Sequence, residues 1–335
     1  MTQTTAADRI LQIGLGFRAA KVLLTAVKLG VFTQLGDGAA DLQTLSCILG
    51  LHDRAARDFL DALVALGLLE REDGFYRNSA EASTFLDDAK RGCIGGYLEM
   101  ADAILYPAWG ELGEAVTTGQ SAPEDGNRDL FNTLYATPQG LSSFLRAMSA
   151  LSADAAGAIA RLFPWCNHRT FVDIGAAQGR LSATLAHAHP HLTGTGFDLP
   201  AVKPVFDAFI EAQGVADRVM FRSGNFFCEP LPCADVLIMG HILHDWDLAQ
   251  KRALLAKAYE ALPPGGALIV YEAMIDEDRR KNAAGLLSSL NMLVMTPGGF
   301  DFSGAECEGW MRRAGFAKTW TQTLTDTHAM TVGLK

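Results

Sequence analysis

The sequence predicts an α/β fold in two parts: a mainly helical domain over residues 1–162, followed by a mostly parallel α/β domain over residues 163–335. Three observations support this. The chain has 335 residues, about twice the ~150 residues of a typical domain. Helical periodicity dominates up to about residue 160, whereas strand and helix patterns alternate after Pro164. Apolar residues make up 49% and charged residues 20%, which excludes a mainly disordered chain.

The N-terminal half begins with an apolar helical pattern from Ile10 to Phe32. A short helix is predicted from Leu42 to Leu51 and a longer one from Asp53 to Leu66. A hairpin follows from Leu68 to Arg77, with its turn at Asp73-Gly74. This is the element order of a winged helix. The apolar surface of the first helices predicts a protein partner, most simply a second copy of the chain.

A winged helix raises the question of DNA binding, and the charges argue against it. The candidate recognition helix carries Asp53, Asp58 and Asp61 against Arg54 and Arg57. The whole chain has 38 acidic and 28 basic residues, a formal net charge of -10, so phosphate backbones and anionic membranes are repelled on average. We expect no nucleic-acid partner and a helical module used for dimer contacts and for covering an active site.

The cysteines and the N-terminus indicate the compartment. The six cysteines include no Cys-x-x-Cys pair, which disfavours a zinc knuckle or a disulfide framework. The first nine residues lack a basic segment leading into an apolar one, and no uncharged apolar stretch of about 18 residues is evident. We therefore expect a cytoplasmic protein with buried thiols, kept reduced, and no membrane segment.

The second half reads as a parallel sheet flanked by helices. The last two predicted strands lie close enough in sequence to form an antiparallel hairpin. The predicted strands are Thr170–Ile174, Gly194–Asp198, Val219–Arg222, Asp235–Met239, Ala267–Glu272, Lys318–Thr323 and Ala329–Leu334. The predicted helices between them are Leu181–Ala188, Ala201–Gln213, Leu248–Ala261 and Gly304–Ala314.

A small-residue turn over residues 175–179 joins the first of these strands to a helix. Such a turn lets a ligand approach the backbone, and the helix N-terminus offers free N–H groups to an anion. Asp198 ends the next strand, where a carboxylate can bind both ribose hydroxyls. A nucleoside ligand is predicted, although a tight structural turn alone has the same pattern. A dinucleotide fits less well, because Ala177 stands where a pyrophosphate needs glycine.

The segment Gly240–Trp246 follows the apolar strand that ends at Met239. A histidine just past the carboxyl end of a central strand faces the ligand crevice of an open α/β sheet, so it is a candidate base. His241 and His244 are three positions apart, which also raises a metal site. A third ligand in that context is missing, so we expect no metal. A buried structural role for His244 stays open on these residues alone.

Six segments, in this order and at these spacings, resemble the S-adenosylmethionine-dependent O-methyltransferases of the plant caffeate, flavonoid and acetylserotonin type and their bacterial relatives. They are Phe171-Val172-Asp173-Ile174-Gly175-x-x-x-Gly179, Gly196-Phe197-Asp198-Leu199-Pro200, Gly224-Asn225-Phe226-Phe227, His241-x-x-His244-Asp245-Trp246, Pro263-Pro264-Gly265-Gly266 and Pro297-Gly298-Gly299. The resemblance spans nearly the whole chain. Leu29–Phe32 and Ala65–Leu69 resemble that family's dimerisation domain.

The resemblance implies a Rossmann-like class I methyltransferase domain with a mostly parallel seven-stranded sheet and an antiparallel C-terminal strand. A winged-helix-like dimerisation domain precedes it, and a homodimer forms through the N-terminal helices. The implied cofactor is S-adenosylmethionine, released as S-adenosylhomocysteine, with no metal. The implied cofactor positions are Asp173, Gly175 and Gly179 at the methionine end, Ser152 near the carboxylate, Asp198 at the ribose with Leu199 beside it, Asn225 and Phe226 beside the adenine, and Gly240.

Some of these positions depart from the family pattern. Gly240 stands where many relatives have a lysine that reaches toward the cofactor, and Asn225 replaces a carboxylate. Ala176 and Ala177 replace two glycines of the usual turn. We expect these changes to affect the affinity for the cofactor or the shape of the pocket without removing the groups that the chemistry needs.

The resemblance also implies the catalytic residues. His244 matches the general base, and Glu272 and Asp301 match the acids that hold its ring, although the family usually has Glu at the second position. A phenol has a pKa of about 10, and a neutral imidazole near 6.5 can take its proton as the methyl group moves. We therefore expect His244 to be neutral when substrate arrives. Met148 and Met292 match positions that flank a flat substrate ring, although methionines on apolar helices also simply fill cores, and the helices around the pocket further offer Trp109, Phe144 and Met295.

The predicted activity is transfer of a methyl group to a hydroxyl of a small aromatic or polyketide-like acceptor. The main alternative is methylation at carbon or nitrogen of a related metabolite on the same fold. A relative that hydroxylates or decarboxylates is disfavoured by the complete set of His244, Glu272 and Asp301. A nicotinamide-dependent dehydrogenase is disfavoured by Ala177 and Asn225, and a winged-helix regulator that senses S-adenosylmethionine is disfavoured by the acidic charge.

Overall fold

The computed structural model describes residues 6–90, 92–121 and 137–335. The chain forms two compact units, Met1–Pro107 and Ala108–Lys335. The division lies well before residue 162, where the sequence pattern changes. The reason is that the last helices of the helical half pack onto the sheet: Ala155 and Ile159 belong to the same buried cluster as Phe171 and Val236.

The first unit is mainly helical with a small antiparallel sheet of order β1-β3-β2. The predicted hairpin is present as β2 and β3. The core contains the buried side chains of Phe32, Leu45, Leu60 and Leu63. The elements are α1 (Ala6–Gly14), α2 (Phe17–Lys28), α3 (Val31–Leu35), β1 (Ala40–Asp41), α4 (Leu42–Leu49), α5 (Asp53–Ala65), β2 (Leu69–Glu72), β3 (Phe75–Asn78), α6 (Ala80–Phe85), α7 (Gly95–Met100) and a π-helical turn (Ala101–Leu105).

Among the described residues, the N-terminal helical stretch Ala7–Lys28 is the apolar segment of membrane length. It is 22 residues long and apolar enough to cross a membrane by length and composition alone. Ile10 and Ile13 are 70% and 74% exposed in the isolated chain. The stretch agrees with the expectation that no uncharged apolar run of this length occurs, because Arg9, Arg18 and Lys21 interrupt it.

The second unit contains a seven-stranded sheet of order β6-β5-β4-β7-β8-β10-β9, in which only β10 runs antiparallel to its neighbours. The predicted strands are all present. The elements are α8 (Tyr106–Trp109), α9 (Leu112–Thr118), α10 (Pro138–Leu151), α11 (Ala153–Leu162), β4 (Thr170–Ile174), α12 (Arg180–Ala188), β5 (Thr193–Asp198), α13 (Lys203–Ala212), β6 (Val219–Ser223), β7 (Val236–Gly240), α14 (Leu248–Ala261), β8 (Ala267–Glu272), α15 (Ala283–Met295), α16 (Gly304–Ala314), β9 (Lys318–Thr323) and β10 (Ala329–Leu334). Three 3₁₀ turns occur at Trp165–Asn167, Pro200–Val202 and Leu243–Asp245.

The strand order creates a crevice between β4 and β7. The chain builds β4, β5 and β6 in one direction and then returns to place β7 and β8 on the other side of β4. In parallel sheets, such a reversal leaves a ligand site beyond the carboxyl ends of the strands. At this edge, Asp198 ends β5 and Glu272 ends β8. The residues that follow Ile174 of β4 and Gly240 of β7 lie at the same edge.

Candidate active site

His244 lies in the 3₁₀ turn that follows β7, at the carboxyl edge of the sheet. The residue is 9% exposed. Its Nδ1 is 3.1 Å from Oδ1 of Asp301 and 3.7 Å from Oε2 of Glu272. On the other side of the ring, Nε2 is 3.5 Å from Oδ1 of Asp245. The structure therefore brings together the three residues implied by the resemblance and adds a third carboxylate.

Two elements fix the positions of the acids. Glu272 is the last residue of β8, and its Oε1 accepts hydrogen bonds from the backbone N–H groups of Ile242 and Leu243 at 3.2 and 3.0 Å, which holds the turn that carries His244. Asp301 follows the Gly298-Gly299 loop, and its N–H donates to Oγ of Ser289 on α15 at 3.2 Å. A Cβ on Gly299 would lie 2.5 Å from the carbonyl oxygen of His244, so only glycine lets this loop approach the turn.

The carboxylates change the protonation expected for His244. Burial lowers the pKa of the imidazole, but Glu272, Asp245 and Asp301 outweigh burial and raise the pKa to about 10. Burial raises the pKa of Glu272 to about 7 and that of Asp245 to about 6. The three carboxylates thus favour the protonated ring, which is opposite in direction to the neutral ring expected from an isolated imidazole. The expectation used the pKa of an isolated imidazole and did not count Asp245.

Lys251 of α14 is a member of the site that sequence reasoning missed. Its side chain is fully buried, its Nζ lies 3.6 Å from the ring centroid of Phe300, and it donates a hydrogen bond to the carbonyl of Trp246. Burial lowers the pKa of Lys251 to about 8, against the opposing effect of Glu272 and other nearby carboxylates. The ammonium partly offsets the negative charge around His244. The position of Lys251 on a helix gives no sign of this role in the sequence, because the residues of the site come from distant segments of the chain.

The small-residue turn between β4 and α12 lies next to Asp198, as expected. One oxygen of the Asp198 carboxylate accepts from the N–H of Ala177 at 2.9 Å and the other from the N–H of Leu199 at 2.7 Å. Ala177 takes a left-handed conformation with φ of +50°, which is uncommon for a residue with a Cβ. Asp173 is 4% exposed and accepts from Oγ of Ser182 at 3.0 Å. Burial raises the pKa of Asp173 to about 7 and that of Asp198 to about 6.

The structure accounts for glycine at position 240. A Cβ there would lie 2.0 Å from the ring of Tyr271, so the tyrosine fills the space that a side chain at 240 needs. The Tyr271 hydroxyl interacts with Ser152, which is 8% exposed at the junction of α10 and α11. Gly240, Tyr271 and Ser152 are therefore neighbours beside β7.

Asn225 and Phe226 follow β6, beyond the carboxyl end of the strand. The carbonyl oxygen of the Asn225 side chain accepts from the N–H of Phe227 at 2.9 Å, and the Asn225 N–H donates to Glu229 at 3.0 Å. Phe226 packs edge-on against Trp246 with ring centroids 6.0 Å apart. These hydrogen bonds order the turn beyond β6.

The expected substrate-pocket residues divide into two groups. Met292 and Met295 of α15 are 7% and 4% exposed, and α15 packs against the turn of His244. Trp109 of α8 donates a hydrogen bond from Nε1 to Oδ1 of Asn291 on α15, at 2.9 Å. Phe144 and Met148 of α10 are half-buried, and Phe144 packs against the cluster that contains Ala176. The helix that carries Met292 and Met295 thus packs against the turn of His244, and Phe144 lies beside the cluster of Ala176.

A parallel sheet with reversed strand order, an acidic residue at the end of β5 and a histidine beside two carboxylates are the features of a Rossmann-like α/β domain with a polar crevice. The family models agree: residues 109–317 match the O-methyltransferase domain, and residues 11–88 match the O-methyltransferase dimerisation domain. The chain belongs to the O-methyltransferase family, which confirms the resemblance found in the sequence.

Relatives match nearly the full length. The chain is 44% identical over 328 residues to the tetracenomycin polyketide synthesis 8-O-methyltransferase TcmO of Streptomyces glaucescens, covering 97% of this chain and 96% of that protein. It is 39% identical over 272 residues to the N,N-dimethyltransferase OxyT of Streptomyces rimosus, covering 81% and 79%. Human N-acetylserotonin methyltransferase, solved in complex with S-adenosylmethionine, superposes with a TM-score of 0.90 at 27% identity, covering 100% of this chain and 99% of that one.

Proposed function

We propose that the protein transfers the methyl group of S-adenosylmethionine to a phenolic hydroxyl of a polyketide-derived aromatic compound. His244 acts as the general base, and Asp301 and Glu272 orient its ring. The observation that carries the proposal is the 3.1 Å contact between Nδ1 of His244 and Asp301, in a crevice formed by the carboxyl ends of the strands. The match to TcmO over 97% of the chain supports the class of acceptor.

The residues at the crevice fit S-adenosylmethionine. A backbone turn of small residues after β4 leaves room for a ligand, and Asp198 stands at the end of the next strand with a free lone pair on each oxygen. Asp173, Gly175, Gly179, Ser152 and Gly240 would surround the methionine part, with Leu199 beside the ribose and Asn225 and Phe226 beside the adenine. When bound, the cofactor supplies an activated methyl group on a sulfonium.

The task of the chain is then to align the acceptor and to remove its proton. With Nδ1 bonded to Asp301, Nε2, which lies 3.5 Å from Oδ1 of Asp245, is the ring nitrogen left to take the acceptor proton. A base with a pKa of about 10 matches the pKa of about 10 of a phenol, so the proton moves between them at little cost in free energy. For an imidazole of pKa 6.5 the same transfer costs about 5 kcal/mol.

The resting charge of His244 does not block this role. The complex of a phenolate with the imidazolium contains the same number of protons as the complex of a phenol with the neutral ring. In both cases the pair that reacts is a phenolate beside an imidazolium, and Asp245, Asp301 and Glu272 stabilise the imidazolium. Met292 and Met295 contribute apolar, polarisable surface for a flat ring.

The proposed activity is tested with a panel of hydroxynaphthoates and hydroxylated anthraquinones, incubated with S-adenosylmethionine and followed by mass detection. We expect a gain of one methyl group on at least one panel member, and NMR of the product should place it on oxygen. Failure to methylate any phenol, with S-adenosylmethionine binding intact by calorimetry, would contradict the choice of acceptor.

Methylation at nitrogen is the second candidate, favoured by the match to an N,N-dimethyltransferase over 81% of the chain. An amine needs loss of a proton after methyl transfer, which the same His244 can accept. Product NMR separates the two, because an N-methyl and an O-methyl carbon have different chemical shifts. A methylated amino group with unchanged hydroxyls would favour this candidate over the first.

We also propose that the exposed apolar face of α1 and α2 is the contact between two copies. Ile10, Ile13 and Phe17 on this face are 70%, 74% and 53% exposed in the single chain. Exposure of so much apolar surface is unfavourable in water, and the dimerisation-domain match over residues 11–88 supports a homodimer. All six cysteines are free in the described structure, but only Cys307 is buried, so the prediction of buried thiols is wrong for the other five.

A further inference from the structure

We infer that the base cluster is also a binding site for a zinc-class divalent cation, formed by His241, His244 and Glu272, and that the bound ion inhibits methyl transfer. One donor atom from each residue lies within 4.8 Å of the others. The part of this inference that concerns inhibition rests on the proposed function. The binding site itself depends only on the geometry.

The donor spacings suit a four-coordinate ion. Oε2 of Glu272 is 3.7 Å from Nδ1 of His241 and 3.7 Å from Nδ1 of His244. Oδ1 of Asp301 lies 3.1 Å from Nδ1 of His244 and can complete the set, as can water. Nitrogen and oxygen ligands at about 2.0–2.2 Å from a tetrahedral Zn²⁺ are themselves about 3.3–3.5 Å apart. The two separations from Glu272 exceed this spacing by about 0.2–0.4 Å.

The second line of evidence is an unpartnered carboxylate oxygen aimed into the group. Glu272 is fully buried, and its Oε1 accepts two backbone N–H bonds, whereas Oε2 has no hydrogen-bond partner among the described residues. Buried polar atoms are rarely left without a partner, because the lost solvation costs free energy. A cation between Oε2 and the two imidazoles satisfies this oxygen.

The backbone holds His241 in a strained conformation that keeps its ring at the cluster. Its φ is +53°, in the left-handed region that residues with a Cβ rarely adopt. Such strain costs of order 1–3 kcal/mol and is concentrated at functional sites. The ring packs 5.6 Å from that of His244 and 5.1 Å from that of His328. The general-base mechanism makes no use of His241, so its placement calls for a separate role.

Charge also favours a divalent cation. Asp245, Glu272 and Asp301 face the cluster, and the Lys251 ammonium is the one fixed positive charge facing them in the part of the chain that the structure describes. When both imidazoles are neutral, the Lys251 ammonium compensates one of the three carboxylates. The two remaining negative charges are neutralised by one divalent ion. Binding releases the Nδ1 proton of His244 to solvent and leaves the remaining ring proton on Nε2. The ring then has no lone pair for the acceptor proton, so methyl transfer stops.

Isothermal titration calorimetry with ZnCl₂ on the full-length protein without cofactor tests the site, with MgCl₂ as the contrasting ion because Mg²⁺ prefers oxygen ligands. We expect one zinc per chain and no magnesium heat. His241→Asn should weaken zinc binding at least tenfold, since asparagine tolerates a positive φ. The exposed His187→Ala is the matched control and should bind zinc as the parent does.

Equal zinc affinity in His241→Asn and the parent would overturn the proposal, as would loss of binding in His187→Ala. Glu272→Gln provides a second variant should His241→Asn not fold, and it too should weaken zinc binding tenfold or more. Zinc should inhibit methyl transfer by the parent and by His187→Ala at concentrations that leave His241→Asn active. If the parent binds zinc but His244→Ala keeps the full turnover of the parent, the proposed function is overturned and the zinc site is not.

Discussion

Replacing Asp301 with asparagine perturbs the base without emptying the site. The carboxylate lies 3.1 Å from Nδ1 of His244, within reach of a charge-assisted hydrogen bond. Hydrogen bonds to charged groups contribute about 1.5–3 kcal/mol, and one pKa unit corresponds to 1.36 kcal/mol. Asp301→Asn should therefore lower the pKa of His244 by about 1–2 units from its raised value.

The assay is a histidine NMR titration of the free enzyme, with the His244 signal assigned by its loss in His244→Gln. The sign follows from the cause: an anion beside the ring raises its pKa, so removing the anion lowers the titration midpoint. Transition-state stabilisation of the imidazolium falls by the same free energy, which corresponds to a loss of about 10- to 100-fold in kcat. S-adenosylhomocysteine affinity should not change.

Asp217→Asn is the matched control for this prediction. It removes a carboxylate whose side chain is 74% exposed and far in sequence from the cluster. The His244 midpoint in this variant should equal that of the parent. An unchanged midpoint in Asp301→Asn would refute the reasoning, because the contact in the structure would then carry no energy.

Three further outcomes are expected. Asp198→Ala should weaken S-adenosylmethionine binding at least tenfold by calorimetry with the circular dichroism spectrum retained; unchanged affinity would remove this residue from the site. Lys251→Met leaves buried carboxylates without their cation and should lower the free energy of unfolding in urea by about 3–5 kcal/mol, whereas the exposed Arg252→Met should change it by under about 0.5 kcal/mol; equal stabilities would contradict a paired charge. Ile13→Asp should convert a dimer to a monomer in light scattering at micromolar concentration, and a parent protein that is already monomeric would contradict the proposed contact.

Sequence periodicity predicted the sheet well because its strands are short apolar runs bounded by turn residues. β4, β7 and β8 all match, and the antiparallel β10 followed from the hairpin with β9. The position of the domain division could not be found this way. Composition changes at Pro164, but Ala155 and Ile159 pack onto the sheet, and packing decides where a compact unit begins.

The site shows a similar limit. His244, Glu272 and Asp301 were identified from a family pattern, and the sequence alone could not show that three carboxylates surround one imidazole. The raised pKa of His244 depends on Glu272 first and then on Asp245, which is the next residue but contributes through the geometry of the turn. Lys251 escaped notice because a lysine on a helix usually faces solvent, and its burial is visible only in three dimensions.

The most direct test of the central claim is methyl transfer by His244→Ala under saturating S-adenosylmethionine and acceptor. General-base assistance is typically worth about 10²–10⁴ in rate, so kcat should fall by that factor while calorimetry gives the parent affinity for S-adenosylhomocysteine. A variant that keeps more than about a tenth of the parent kcat, with its fold intact, would show that the acceptor loses its proton by another route.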